Sequence, residues 1–514
     1  MTYRPGKKAA QMELLSNRFR ELAGSLARGI PQVALLAGLA AVSFNDPAQA
    51  SGMGPPLTLN QAGLLESASS NGFRTGATNG FFAQLGTNGR TCATCHVEAD
   101  GWALTPRHAQ LLAHNDPLFA PVDGADCPAT SGDQKPNRAN SSMVLKYAVL
   151  RVQMAIPANA DFALASTTNP KSCAIPPGSA ANSGNLFLFR RPLPSTNLLL
   201  LSSVMWDGRE TLEKITTHAG EEASTAPLVF DLDDQANAAT TGHAQGSAIV
   251  GTPAQQDIVS FEKSLSTAQV MLVPQIGFAL LDVGANGGAY YLQNTVTPAF
   301  SIGVNDPLNP PFTNRVFTLY SAWEPTSAQH RHLSPVQQAI GRGEAIFNNT
   351  RFVVHDVPGI NSIPSNPLYN PADPLAGQDV VAGCGLCHNN PNAGNHSTSL
   401  PINIGVTMAH PTNNNGSANG ELDLANLPVY TLVNPSTGAT VQVTDPGRAM
   451  ITGKWQDIGK TKGPILRGLA ARAPYFHNGS AKDLATVVTF YNERFNMGLT
   501  PQQQADLVTF LEAL

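Results

Sequence analysis

Cys92, Cys95 and His96 stand in the order C-x-x-C-H, and Cys384, Cys387 and His388 repeat that order 292 positions downstream (388 − 96). Two thiols at this spacing with an imidazole directly after the second form the attachment signature of a c-type haem. The thiols add across the two porphyrin vinyl groups, and the imidazole reaches the iron from the proximal side. A zinc site needs four soft ligands close together, and a thioredoxin-like C-x-x-C carries no obligatory His after it. The two motifs therefore predict two covalently bound haem c groups, with His96 and His388 as iron ligands.

Each haem needs helices at its edges, and the sequence predicts them around both motifs. Residues 80–86 (GFFAQLG) read as a short apolar helix, closed by the turn signal Asn88-Gly89 just before the first motif. Helical patterns follow over 230–248 and 254–267, where Ile258, Phe261 and Leu265 share one face. Before the second motif, Ser334-Pro335-Val336-Gln337 is an N-cap with proline at the first helical position. Val336, Ala339, Ile340, Gly343 and Phe347 then recur at helical spacing. Residues 484–491 put Leu484, Val487, Val488 and Tyr491 on one face. Thr500-Pro501-Gln502-Gln503 caps a last helix with the stripe Leu507, Phe510, Leu511, Leu514. The expected fold is mainly α: two cytochrome c-type haem domains, 51–330 and 331–514, with long loops and insertions.

The bulk composition agrees with a two-domain haem protein and excludes other classes. At 514 residues, with 42% hydrophobic residues and a net charge of −5, the chain is long enough for two or three cores. No basic run beyond the N-terminus suits nucleic acid. Only 13% of residues are charged, while 45 Gly and 39 Pro point to long ordered loops. The region 109–200, rich in Pro, Asn, Ser and Ala, reads as such an excursion. Of six cysteines, Cys127 and Cys173 are left over from the motifs; they suit one disulfide in an oxidising compartment, with two free thiols as the alternative. Arg4, Lys7, Lys8, Arg18, Arg20 and Arg28 precede the apolar run 33–44, and Ala48-Gln49-Ala50 supplies a small-x-small cleavage pattern. Residues 1–50 thus read as a secretory signal, with an uncleaved anchor as the alternative. Once cleaved, it leaves a periplasmic protein with no membrane span.

Trp206-Asp207-Gly208-Arg209, Leu466-Arg467-Gly468-Leu469 and the run from Ala473-Pro474-Tyr475 to Phe476-His477-Asn478-Gly479-Ser480 complete a pattern. With the two motifs, in this order, it resembles the bacterial di-haem cytochrome c peroxidase family, which includes MauG-like enzymes. The resemblance implies reduction of hydrogen peroxide, or another small oxidant, at the N-terminal haem. The C-terminal haem would relay electrons from a small redox protein, and a calcium ion would lie between the domains on carbonyl ligands such as that of Pro474. The family places a Gln and an acid after the W-D-G-R segment. Gln235 matches the Gln, and His243 falls near the acid's place, with Glu221 and Glu222 as alternatives and an ordinary polar helix face as the competing reading. The resemblance makes Trp206 an indole between the haems, Arg209 a propionate partner, and His108 a ligand of the resting iron or simply a solvated loop residue. For the second iron, Tyr491 holds the place of the peroxidases' Met, as in MauG-like members, with Met497 and His477 as rivals and a core aromatic as the plain alternative. MauG-like oxidation of a protein or organic substrate, or electron transfer without catalysis, are the competing functions.

Overall fold

The computed structural model describes residues 57–72, 79–128, 135–171, 173, 185–210, 226–282 and 287–514. The expected leader over 1–50, and Glu221 and Glu222, lie outside the described residues. The longer helices are α1 (Pro106–Leu111), α2 (Ser142–Tyr147), α3 (Ala226–Gly242), α4 (Pro253–Ser264), α5 (Pro335–Asn349), α6 (Leu484–Arg494) and α7 (Pro501–Glu512). The strands are β1 (Leu57–Asn60), β2 (Gly63–Ser69), β3 (Leu150–Ala155), β4 (Ala163–Thr168), β5 (Asn185–Arg190), β6 (Leu265–Leu272), β7 (Ala279–Leu280), β8 (Phe352–Val354), β9 (Val380–Ala382), β10 (Val429–Val433) and β11 (Thr440–Val443).

The fold is not mainly α. About 30% of it is helix and 16% strand, the strands forming four sheets in the orders β1-β2-β6-β7, β11-β10-β4, β3-β5 and β8-β9. The reason is local. Residues 185–190 (NLFLFR) and 150–155 (LRVQMA) are short, apolar and rich in branched and aromatic side chains, without a 3.6-residue period. They pair antiparallel, with Leu150 opposite Arg190. β6 follows α4 without a break and is buried along its whole length between β2 and β7, so helix 254–267 gives way to strand at Leu265. At 80–86 only a single 3-10 turn forms, Gly80–Phe82.

Where the period is clear, the helices form. Ser334 accepts from the Gln337 backbone N–H, and the Gln337 side chain accepts from the Ser334 N–H at 3.1 Å; Thr500 and Gln503 do the same for α7. α5 and α7 cross at Gly343, where a Cβ would stand 2.2 Å from the Asp506 carbonyl oxygen. Arg342 clamps the Asp506 carboxylate with two 2.7 Å bonds beside this crossing. Phe317, Phe347 and Phe510 fill the space beneath. Phe81 and Phe261, 4.9 Å apart, repeat this helix-on-turn aromatic contact behind the first motif. The excursion after that motif is stapled by a Cys127–Cys173 disulfide. β4 pairs with β10, which ties residues 163–168 to residues 429–433. No helix among the described residues is long and apolar enough to cross a membrane.

Two candidate haem cavities with a shared wall

Each C-x-x-C-H segment coils into one 3-10 turn. The N–H groups of Cys95 and His96 both donate to the Cys92 carbonyl, and those of Cys387 and His388 to the Cys384 carbonyl. This turn brings both thiols and the imidazole to one side. His96 donates its Nδ1–H to the carbonyl of Trp102 (3.1 Å), and His388 donates its own to the carbonyl of Gly394 (2.7 Å), six residues on in both cases. Such a bond fixes the tautomer and leaves the Nε2 lone pair for a metal. Burial pushes His96 down to about 4 and lowers His388, so both rings are neutral at pH 7. Burial also pushes all four motif thiols up to about 12. Phe81 and Phe347 back the two imidazoles at centroid distances of 6.3 and 6.1 Å.

Each motif opens onto a cavity. The first holds about 1560 Å³ of empty space, its mouth included; Cys92, Cys95, His96, Gln235 and His243 line it. The second holds about 1380 Å³ and is lined by Cys384, Cys387, His388, His477, Tyr491 and Met497. Trp206, Lys462 and Pro464 belong to both linings, so they form a wall between the cavities. The residues fit a porphyrin held through two thioethers and an imidazole. They also fit its two carboxylates: Lys462 is only 6% exposed and pairs with no carboxylate among the described residues, and Arg191 Nε is buried without a partner. Burial brings Lys462 down to about 7 and Arg191 to about 10. An unpaired buried cation is costly, so an anionic group belongs beside them.

The structure brings Gln235, from α3, and His243, just past its end, into the first cavity. The Nδ1–H of His243 donates to Asp123. Trp206 donates its Nε1–H to the Arg191 carbonyl (2.8 Å), accepts at its own carbonyl from the Lys462 N–H (2.9 Å), and lies 6.2 Å from the His477 ring. Arg209 lines the first cavity and pairs with Asp207 at 2.7 Å. Asp207 also binds Arg190, whose guanidinium reaches Asp445 at 2.7 Å. His108 sits on α1 with its N–H capped by Thr105, and it lines neither cavity. Tyr491, Met497 and His477 all face the second cavity. Tyr491 lies 6.3 Å from the His388 ring, and burial raises its phenol. His477 has both ring nitrogens buried without a hydrogen bond, with an Asp445 oxygen 3.7 Å away. Among the described residues no cluster of three or more His, Cys, Asp or Glu side chains forms a further metal site.

No family model matches the chain. It is 33% identical to the cytochrome-c peroxidase IdrP1 of Denitromonas iodatirespirans over 153 residues, 26% of this chain and 37% of that protein. It is also 33% identical over 142 residues to IdrP2 of the same organism, and 31% identical over 150 residues to IdrP2 of Pseudomonas sp. (strain SCT). The likeness is to the cytochrome c peroxidases. The chain spans little more than a third of the length of these curated relatives.

The cavities also hold residues that sequence reasoning passed over. His396 lines the second cavity, its Nδ1 2.9 Å from the Leu400 carbonyl, in an Asn-rich loop that gave no periodic signal. Gly463 must lack a side chain, since a Cβ there would meet the His396 ring at 2.4 Å. Glu262, on α4, lines the first cavity; burial pushes its carboxyl up to about 7, and one oxygen has no partner. Its place next to Phe261, on the apolar face, was the available signal. Asp123 and Lys462 carried none, because only tertiary contact gives them a role.

Proposed function

We propose that this protein is a periplasmic di-haem oxidoreductase that reduces hydrogen peroxide at the cavity of His96. A small redox protein would donate electrons through the cavity of His388. The observation that carries this reading is the pair of thiol–imidazole cavities sharing one tryptophan wall. Haem in the first cavity supplies an iron that binds peroxide and exchanges electrons. In that cavity the Gln235 amide would orient the peroxide oxygens, and His243 would take and return a proton through Nε2. Trp206 would be the aromatic step between the two sites, and Lys462 and Arg191 would neutralise haem propionates. The Cys127–Cys173 bond supports an oxidising compartment, and with the N-terminal pattern it supports export. The division into haem domains 51–330 and 331–514, and a calcium ion held by carbonyls near Pro474, belong to the same reading.

MauG-like oxidation of a protein or organic substrate is the second reading, favoured by Tyr491 facing the second cavity. The test of the first is His243→Ala in the protein with both haems attached. Peroxide turnover should fall about 10²-fold or more, the usual weight of a general base, with two haems retained by mass. Unchanged turnover would remove His243 from the chemistry. Two low-spin haems inert to peroxide would instead mark an electron carrier.

A further inference from the structure

His243 is held on three sides. Its backbone carbonyl accepts from Asn88 Nδ2 (2.8 Å) and from Arg90 (3.3 Å), both just ahead of Cys92. Its ring bonds to Asp123 through Nδ1, and the other oxygen of that carboxylate binds Arg90. Arg90 also donates to the carbonyls of Pro117 (2.8 Å) and Leu118 (2.7 Å), and both Arg90 and Asp123 are almost fully buried. One guanidinium therefore ties together the haem-attachment turn, the main chain of His243 and the carboxylate on its ring. The groups that interact with the imidazole are Asp123 and, across the cavity, His96, with Arg90 on its carbonyl; Glu262, Arg209, Arg190, Arg191, Lys462 and the thiols of Cys92 and Cys95 line the same cavity.

We propose that Asp123 is the positioning residue of the first cavity: by holding the Nδ1–H of His243 it makes Nε2 the nitrogen that receives the peroxide proton. The inference rests on the peroxidase reading of that cavity. A neutral imidazole has one donor and one acceptor nitrogen, and an ionised carboxylate at Nδ1 selects the tautomer. Arg90 and His243 hold Asp123 below the usual carboxylate range despite its burial, so it is ionised at neutral pH. HOOH gives its proton to Nε2, leaving HOO⁻ and an imidazolium whose charge Asp123 offsets. Arg90 binds the other oxygen of the carboxylate and so keeps it aimed at the ring. Asp123 lies 120 residues before His243, in the excursion stapled by the disulfide. That excursion thus supplies a working part of the site.

The test uses the di-haem protein and the variants Asp123→Asn, Asp123→Glu and His243→Gln, with haem content and circular dichroism as folding controls. Fluoride binding, followed by absorbance against pH in the oxidised and half-reduced protein, reads the base without turnover. In the parent protein, fluoride affinity should rise as pH falls. Asp123→Asn should move that midpoint down by about one unit and lower the second-order rate with peroxide about 10²-fold. Asp123→Glu should restore most of both, and His243→Gln should flatten the fluoride profile. A loss of rate in Asp123→Asn that is equal at every pH, with the fluoride midpoint unmoved, would show a purely structural role and overturn the inference. So would a parent protein whose first haem takes no fluoride at any pH. If the fluoride shift appears but His243→Gln reduces peroxide as fast as the parent, Nε2 takes no peroxide proton and the inference is overturned; if the shift appears and the parent itself is inert to peroxide, Asp123 still orients the ring and the peroxidase reading fails.

Discussion

Single side chains in this molecule are unusual for what they lack. Among the described residues, Lys462, in the wall between the two cavities, and Arg191, which lines the first, have no carboxylate partner, and His477, lining the second, has both ring nitrogens without a hydrogen bond. Groups of this kind are retained where another molecule completes them. A cation next to a haem stabilises the reduced, less positive iron, so Lys462→Met should lower the midpoint potential of at least one haem. Spectroelectrochemical titration measures this, and identical potentials in both proteins would detach Lys462 from the cofactors. Glu344 is a different case. It is fully buried on α5, accepts from the Tyr320 N–H (2.9 Å), and burial pushes it up to about 8. In the unfolded chain it ionises near 4.3. Below that pH it is protonated in both states and costs nothing. As pH rises from there to about 8, the unfolded state sheds the proton first, so stability drains away across this window. Glu344→Gln should flatten that decline in denaturant midpoints between pH 5 and 8; an unchanged slope would place the effect elsewhere.

At the scale of elements, legibility followed periodicity. α5 and α7 carry a capping residue, a Pro at the first position and a 3.6-residue apolar stripe, and each began where those signals stand. The strands carry none of this. β6 is buried on every residue, so its sequence shows neither alternation nor helical period, and β3 and β5 lie in a stretch that composition alone marks as loop. The helix pair around the second motif is held by Phe510, fully buried against Phe317 and Phe347. Phe510→Ala should cost about 3–5 kcal/mol by cavity formation, read as a lower denaturation midpoint. A loss below 1 kcal/mol would show that α7 collapses onto the gap.

Over the whole molecule, the two motif regions are interlocked rather than strung in series. β4 pairs with β10, Arg190 reaches both Asp207 and Asp445, and the Trp206 wall closes against Lys462. The disulfide closes a separation of 46 residues in the excursion that carries Asp123. Cys127→Ser with Cys173→Ser should therefore cost about 4 kcal/mol through the freer unfolded chain, and it should loosen the Asp123–His243 contact as well. Equal unfolding midpoints with and without the bond would contradict this. The sequence by itself determined the two C-x-x-C-H turns and the capped helices beside them, because such turns and helix ends are written in residues three or four apart. Tertiary structure alone decided that the fold is mixed, that Gln235 and His243 enter one cavity while His108 enters neither, and that Asp123 and Lys462 matter. Those outcomes depend on strand pairings without a local period and on contacts such as Asp123–His243 and Trp206–Lys462, more than a hundred positions apart, which no local spacing encodes.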